Sequence, residues 1–264
     1  MSSERVIVGT SGYSFADWVG PFYPPGTKSG DFLRYYSEHF DVVEVNSTYY
    51  RIPHPRVLEQ MEHKTPPGFR FVVKLNQAMT HERAREPGLY RDFLAALEPL
   101  KAAGKLDGLL AQFPWGYQRT PENAEHLGFL RRQMPAEALF VEFRHRSWIT
   151  PGLAGELRSL ELGYCAVDEP RLPGLVPPVT MVTAPDAYVR FHGRNDRTWW
   201  GGGGGDRYDY DYSKDELKEW LEKINELAQQ ARRTYLFFNN CHAGQAARNA
   251  KLMQELLRQQ KLGT

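Results

Sequence analysis

The sequence is short of several things at once. Its 264 residues include only two cysteines, Cys165 and Cys241, both in or beside apolar strand-like runs. A disulfide framework is therefore not expected, and without a CxxC spacing neither a thiolate zinc site nor an iron–sulfur cluster has its ligands. No apolar stretch reaches the roughly 18 residues of a membrane span, and the opening MSSERVIVGTSG lacks the apolar run of a signal peptide. The expectation is a soluble, unexported, cytoplasmic protein with no membrane partner. Net charge is nearly missing too, since 33 Lys and Arg against 32 Asp and Glu leave +1. That balance excludes a generally basic nucleic-acid binder and an acidic disordered chain, while local patches remain open. There is no GxGxxG after the first strand-like run, no GxSxG elbow around Ser11 or Ser47, and no HxH or HExxH pair.

What the chain does have is alternation. Short apolar, β-branched runs recur at Val6–Val8, Val42–Val45, Phe69–Leu75, Leu109–Phe113, Leu139–Phe143, Tyr164–Val167, Tyr188–Phe191 and Tyr235–Phe238. Between them lie stretches whose apolar residues step by three and four, as helices covering a sheet require. The clearest stripe is Leu217, Trp220, Leu221, Ile224 and Leu227. Asp31 and Ser213 stand where N-caps belong, and Pro55, Pro121 and Pro151 suit a first helical turn. Eight strands alternating with helices predict a (β/α)8 TIM barrel over residues 1–264 as one domain, with an open doubly wound sheet as the alternative. One unit breaks the pattern: Glu169 to Pro185 carries five prolines and no helical stripe, which predicts an irregular crossover between strands six and seven.

Barrel enzymes build their sites at the carboxyl ends of the strands. Polar residues gather at those ends here. Thr10 and Ser11 follow strand one, Glu44 and Asn46 end strand two, Lys74 and Asn76 strand three, and Gln112 strand four. Strand five ends in Glu142-Phe143-Arg144-His145, strand six in Asp168-Glu169, strand seven in Arg190-Phe191-His192-Gly193 and strand eight in Asn239-Asn240. Glu142 and Arg144, like Arg190 and His192, are two apart and so face the same side of the sheet. Such charges are costly to bury unless they bond to each other or to a ligand.

These segments, in this order, resemble the domain of unknown function 72 family, also called YecE-like. The resemblance rests on Gly9-Thr10-Ser11-Gly12-Tyr13 with Trp18 and Phe22-Tyr23-Pro24, on Glu44-Val45-Asn46-Ser47-Thr48-Tyr49-Tyr50-Arg51 with Pro53, and on Phe71-Val72-Val73-Lys74 followed by Thr80-His81. It continues through Gln112-Phe113-Pro114, Glu142-Phe143-Arg144-His145 with Trp148, Val189-Arg190-Phe191-His192-Gly193, and Phe238-Asn239-Asn240 with Ala246 and Asn249-Ala250. It implies a TIM barrel and supplies no reaction. Tyr13 stands where many members carry Trp.

The cations expected at the mouth are Lys74, Arg144, Arg190 and, when protonated, His81, His145 and His192. Arginine forks match carboxylate or phosphate oxygens, so an anionic substrate, with phosphate as the natural group, is the leading expectation. The turn from Asn239 to Gly244 adds a helix N-terminus after strand eight, a place where barrels hold phosphate. Glu142 and Asp168 are the expected acid/base pair, with His192 beside them and Thr10, Ser11, Glu44, Asn46, Tyr49, Gln112, Tyr208, Asn239 and Asn240 among the binding residues. No tightly bound cofactor is expected; a divalent metal held by carboxylates and His192 stays open and would suit a nuclease or phosphodiesterase. A salt bridge from Arg144 would keep Glu142 too acidic for such a role. The loop Arg194 to Tyr212 interleaves arginines with Trp199, Trp200, Tyr208, Tyr210 and Tyr212, a pattern that can stack rings or bases, and its Gly201–Gly205 run would serve as hinges of a lid. The alternative from another class is a non-catalytic barrel that binds an anion or a partner. The aromatics Tyr13, Phe15, Trp18, Phe22 and Tyr23 read as packing of a rigid first loop, and Cys165 as inert filling.

Overall fold

A computed structural model describes residues 6–201 and 205–262. Gly202 to Gly204, the middle of the expected hinge, lie outside the described residues. All eight predicted runs are strands: β1 Val6–Ser11, β2 Val42–Val45, β3 Arg70–Lys74, β4 Leu106–Gln112, β5 Leu139–Glu142, β6 Leu162–Asp168, β7 Asp186–Phe191 and β8 Arg233–Phe238. Each pairs in parallel with the next, and β8 returns to β1 through Val6 opposite Thr234, so the barrel is closed. β6 and β7 are buried along their whole length, as strands covered on both faces must be.

The outer helices follow from local chemistry. Thr120 accepts a bond from the Asn123 N–H and Pro121 opens the helix Pro121–Gln133; His54 and Pro55 do the same for Pro55–His63. Ser213 and Glu216 form a reciprocal capping box at Lys214–Lys218. Two expectations shift. Asp31 ends a single 3-10 turn and makes no side-chain cap, and Pro151 precedes Leu153–Ser159, whose N-cap is Gly152. The stripe from Leu217 to Leu227 divides into Lys214–Lys218 and Leu221–Gln230, because Trp220 sits between them with its indole N–H donated to Asp168 at 2.5 Å. Residues 169–185 contain neither helix nor strand, so the crossover is irregular as expected.

Inside the barrel, Phe140, Tyr188 and Tyr235 fill the lower layer, with ring centres 4.7 Å apart for the first pair and 6.2 Å for the second. Gly163 and Gly108 make room for Phe140: a Cβ on either would come within 2.5 or 2.9 Å of its ring. Below, Asp107 receives Arg70, Arg233 and the Tyr235 hydroxyl, and Asp186 receives Arg232 and Arg233. Among the described residues no helix is long and apolar enough to cross a membrane.

Candidate functional site

Strand alternation decides which polar residues reach the mouth. On β7, Tyr188 and Arg190 face the barrel axis, followed by His192; on β5, Glu142 does, followed by Arg144. Arg190 is the centre. Its Nη1 donates to Glu142 at 2.7 Å, and its Nη2 to Glu44 at 2.7 Å and to Ser11 Oγ at 3.3 Å. Tyr188 donates its hydroxyl to the other oxygen of Glu44 at 2.6 Å. Arg144 Nε stands 2.6 Å from Glu142 and its Nη1 donates to Glu169 at 3.1 Å.

His192 is fully buried, with Nε2 3.2 Å from Glu142 and Nδ1 3.0 Å from the Asn239 amide nitrogen. An amide N–H can only donate, so Nδ1 accepts and Nε2 carries the proton toward Glu142. Burial and then Arg144 bring the imidazole down to about 3, and His192 is neutral. His81 follows, brought down to about 4 by burial and then Lys74, and burial also lowers His145. The condition under which these histidines would count as cations is therefore disfavoured, and the fixed cations are arginines.

Burial alone would raise the Glu142 carboxyl, but Arg144, Arg190 and His192 outweigh it and hold it well below the ordinary range. A carboxylate so held cannot serve as an acid near neutrality. The geometry is equally unsupportive of the role expected for Asp168. It lies on the opposite face of β6 from Cys165 and accepts from Arg194 Nε and Nη2 at 2.8 and 2.7 Å, from Tyr212 at 2.9 Å and from Trp220. It fastens the loop after β7 to the barrel wall. The residue that follows β6 with the inward parity is Glu169, whose Oε1 accepts from the Val176 N–H at 3.1 Å and whose carboxyl burial lifts to about 8 against the pull of Arg144.

Three other expected residues face outward. Thr10 bonds to the Tyr36 hydroxyl and to Gly12 O. Asn240 donates to Tyr210 O and Asn249 Oδ1. His145 caps the turn Arg146–Trp148 through Nδ1 and packs on Trp115. At the 239–244 turn, the Ala243 N–H donates to Asp17 at 2.7 Å, so the protein's own carboxylate takes a place expected for phosphate. The first-loop aromatics pack as expected: Trp18 and Tyr23 are buried, and Trp18 donates to Cys241 O. Cys165 is buried 3.7 Å from Glu142, and both cysteines are free.

A cavity of about 360 Å³ opens over this network. Of the expected residues, Asn46, Tyr49, Lys74, His81, Gln112, Arg144, Arg190, Tyr208 and Asn239 line it; Ser11, Glu44, Glu142 and His192 are absent from its wall and brace Arg190 and Arg144. Arg207 stands 5.9 Å from the Trp199 ring and 6.0 Å from the Tyr208 ring. Trp115, which the sequence reading passed over, meets Trp200 edge-on at 5.3 Å. Both residues are exposed, at 41% and 53%. Among the described residues, no carboxylate lines the cavity, and no group of three or more His, Cys, Asp or Glu is placed to hold a metal ion.

Lys74 is the remaining basic residue of the wall. Its Nζ donates to Gln112 Oε1 at 2.7 Å and lies 4.3 Å from the centre of the Tyr49 ring. Burial and then the charge of Arg190 lower its ammonium to about 7, with Glu142 and Glu44 opposing.

Comparison with known proteins agrees with this architecture. Residues 7–264 match the family described as "Protein of unknown function DUF72". The UPF0759 protein YunF of Bacillus subtilis strain 168 is 35% identical, over 96% of this chain and 94% of its own. A solved DUF72 family protein from Thermotoga maritima MSB8 is 43% identical with a TM-score of 0.90, over 96% of this chain and 99% of its own. One from Enterococcus faecalis V583 is 28% identical with a TM-score of 0.86, over 96% and 95%. With residues 7–264 matched by the family, and with the fold and nearly the whole length shared in this way, the chain belongs to the DUF72 family of TIM-barrel proteins.

Proposed function

We propose that the barrel mouth binds and transforms a small organic anion that carries a flat or ring-shaped portion. The observation that carries this reading is the sorting of charge: Lys74, Arg144, Arg190 and Arg207 line the cavity, and every carboxylate of the network stands behind them. Arginines already braced by Glu44, Glu142 and Glu169 are held rigid, so they meet an anion without further ordering cost. Tyr49, Tyr208, Trp115 and Trp200 supply faces and edges for a ring, and Asn46 Oδ1, buried without a hydrogen-bond partner among the described residues, offers an acceptor for a ligand hydroxyl or amine.

The volume of 360 Å³ lies in the range of small-molecule sites, about 300–1,000 Å³, and favours a metabolite-sized ligand over a nucleic-acid strand. Phosphate is the anionic group proposed, since several convergent cations suit its oxygens. The acid/base chemistry expected of Glu142 and Asp168 is not part of this reading. The test is thermal unfolding of the purified protein with inorganic phosphate and a panel of phosphorylated metabolites. Saturable stabilisation by phosphate, enlarged when the phosphate is attached to a ring, is the expected result; equal indifference to phosphate and to every anion of the panel would reject the reading.

A further inference from the structure

The carboxylates stand behind the arginines and, among the described residues, the cavity wall itself carries one amine, that of Lys74. Gln112 donates its amide nitrogen to Phe113 O at 2.6 Å, which turns Oε1 toward Lys74 Nζ. A neutral amine gives one hydrogen to that oxygen and keeps its lone pair. Among the described residues no carboxylate is paired with Nζ to hold the ammonium form, while Arg144 and Arg190 share its cavity. An amine that is desolvated and crowded by cations is the arrangement that makes lysine nucleophilic near neutral pH. Arg207 and the aromatic residues Trp115, Trp200 and Tyr208 line the same cavity, and the Tyr49 ring lies against the reacting nitrogen.

The geometry points to Lys74 as an amine that condenses with the carbonyl carbon of a small anionic aldehyde or ketone held in this mouth. The inference rests on the anion-binding reading above and adds the substrate class, a carbonyl compound, and the reacting atom. In the step, the Nζ lone pair attacks the carbonyl carbon and a C–N bond forms. The carbonyl oxygen then leaves as water with both amine hydrogens, and an imine remains. No oxidant or reductant enters. Once protonated, the imine draws electrons from the adjacent carbon, which is the property such a lysine contributes to bond making or breaking there.

Pyridoxal 5′-phosphate serves as the probe, because it joins an aldehyde, a flat ring and a phosphate. The protein is incubated with it at sub-stoichiometric amounts across a pH series, reduced with borohydride, and the modified lysines are mapped by peptide mass spectrometry, with and without inorganic phosphate. The expected result is an adduct concentrated at Lys74 by at least tenfold over any other lysine, suppressed by phosphate, with a labelling midpoint near 7; exposed lysines follow a midpoint of about 10.4. Lys74→Arg replaces the amine with a guanidinium that forms no imine, and is expected to lose the adduct without another lysine taking its place. Mapping on the unaltered protein stands by itself should that variant fold poorly. Phosphate stabilisation with labelling spread over other lysines and none at Lys74 overturns the amine and leaves the anion site standing. Absence of both the phosphate effect and the Lys74 adduct overturns the two together.

Discussion

Two cavities lie at opposite ends of the same barrel, and they differ in how charge is arranged. The one beside the N-terminal ends of β5, β6 and β7 is the larger, about 620 Å³ against 360 Å³. Its wall carries Arg131, Arg158 and Arg232 together with Glu137, Glu161 and Asp186, three of each sign on the same surface. At the mouth the signs are separated by depth, with arginines and a lysine toward the cavity and carboxylates behind. Size alone would select the other end. A wall that has neutralised itself offers an ion little, whereas a wall whose countercharges lie on its far side presents an oriented field.

The separation is sharpest at Arg190, fully enclosed, and weakest at Arg232, whose side chain is 65% exposed beside Asp186. Replacing Arg190 with Met leaves Glu44 and Glu142 buried without their shared partner, and a loss of about 3–5 kcal/mol is expected in denaturant unfolding. Arg232→Met removes an exposed guanidinium and leaves buried Asp186 its second partner, Arg233, so it is expected to cost less, about 1 kcal/mol. Equal losses at the two ends would mean that the mouth network is no more buried in energetic terms than a surface pair.

The same contrast bears on ligand binding. Arg207→Ala is expected to weaken stabilisation by phosphate by about 10- to 100-fold in apparent affinity, the effect of about one charge-assisted hydrogen bond. Arg158→Ala, in the self-neutralised cavity, is expected to leave the phosphate titration unchanged. A reversed pattern would move the anion site to the other end of the barrel.

How much of this was legible in the sequence follows from what periodicity can and cannot carry. The eight strands were readable because β-branched runs announce themselves, and Glu142 with Arg144 and Arg190 with His192 were placed correctly by the spacing of two. The same rule, applied to β6, would have favoured Glu169 over Asp168: Cys165 and Val167 set the inward parity, and Asp168 is out of step with them. Strand ends are where the eye collects every polar residue, and only half of those can face the axis, which is why Thr10 and Asn240 were gathered with Ser11 and Asn239. Asp17 could not be anticipated at the 239–244 turn, since its contact spans 226 residues of sequence. Trp115 and Trp200 carry no local sign of meeting, because their contact is made by two loops. The depth of the carboxylates behind the arginines is likewise a tertiary property, and it is what argues against Glu142 as an acid near neutrality.

The smallest expected effect tests the mouth from the side of stability. Lys74 is lowered to about 7 in the folded protein from the ordinary lysine value of about 10.4. Below the folded value the side chain is protonated in both states, and the folded state bears the whole cost of a half-buried ammonium that feels the charge of Arg190. Between the two values the unfolded chain binds more protons than the folded one, so stability rises with pH and the cost fades. Lys74→Met removes the charge and keeps much of the volume. The variant is therefore expected to be more stable than the parent by at least about 1 kcal/mol below neutrality, since even one unit of displacement corresponds to about 1.4 kcal/mol. The gain is expected to shrink steadily as the pH is raised toward the ordinary lysine range. Paired urea titrations at several pH values measure the difference directly, and a Lys74→Met variant that is less stable than the parent below neutrality would show that the amine is held in the mouth as a paired cation. Stability gained where reactivity is lost is what a site strained for chemistry predicts, and at the opposite end of the barrel Arg158→Met, which removes a guanidinium bonded to the Val182 carbonyl, is expected to show no such gain at any pH.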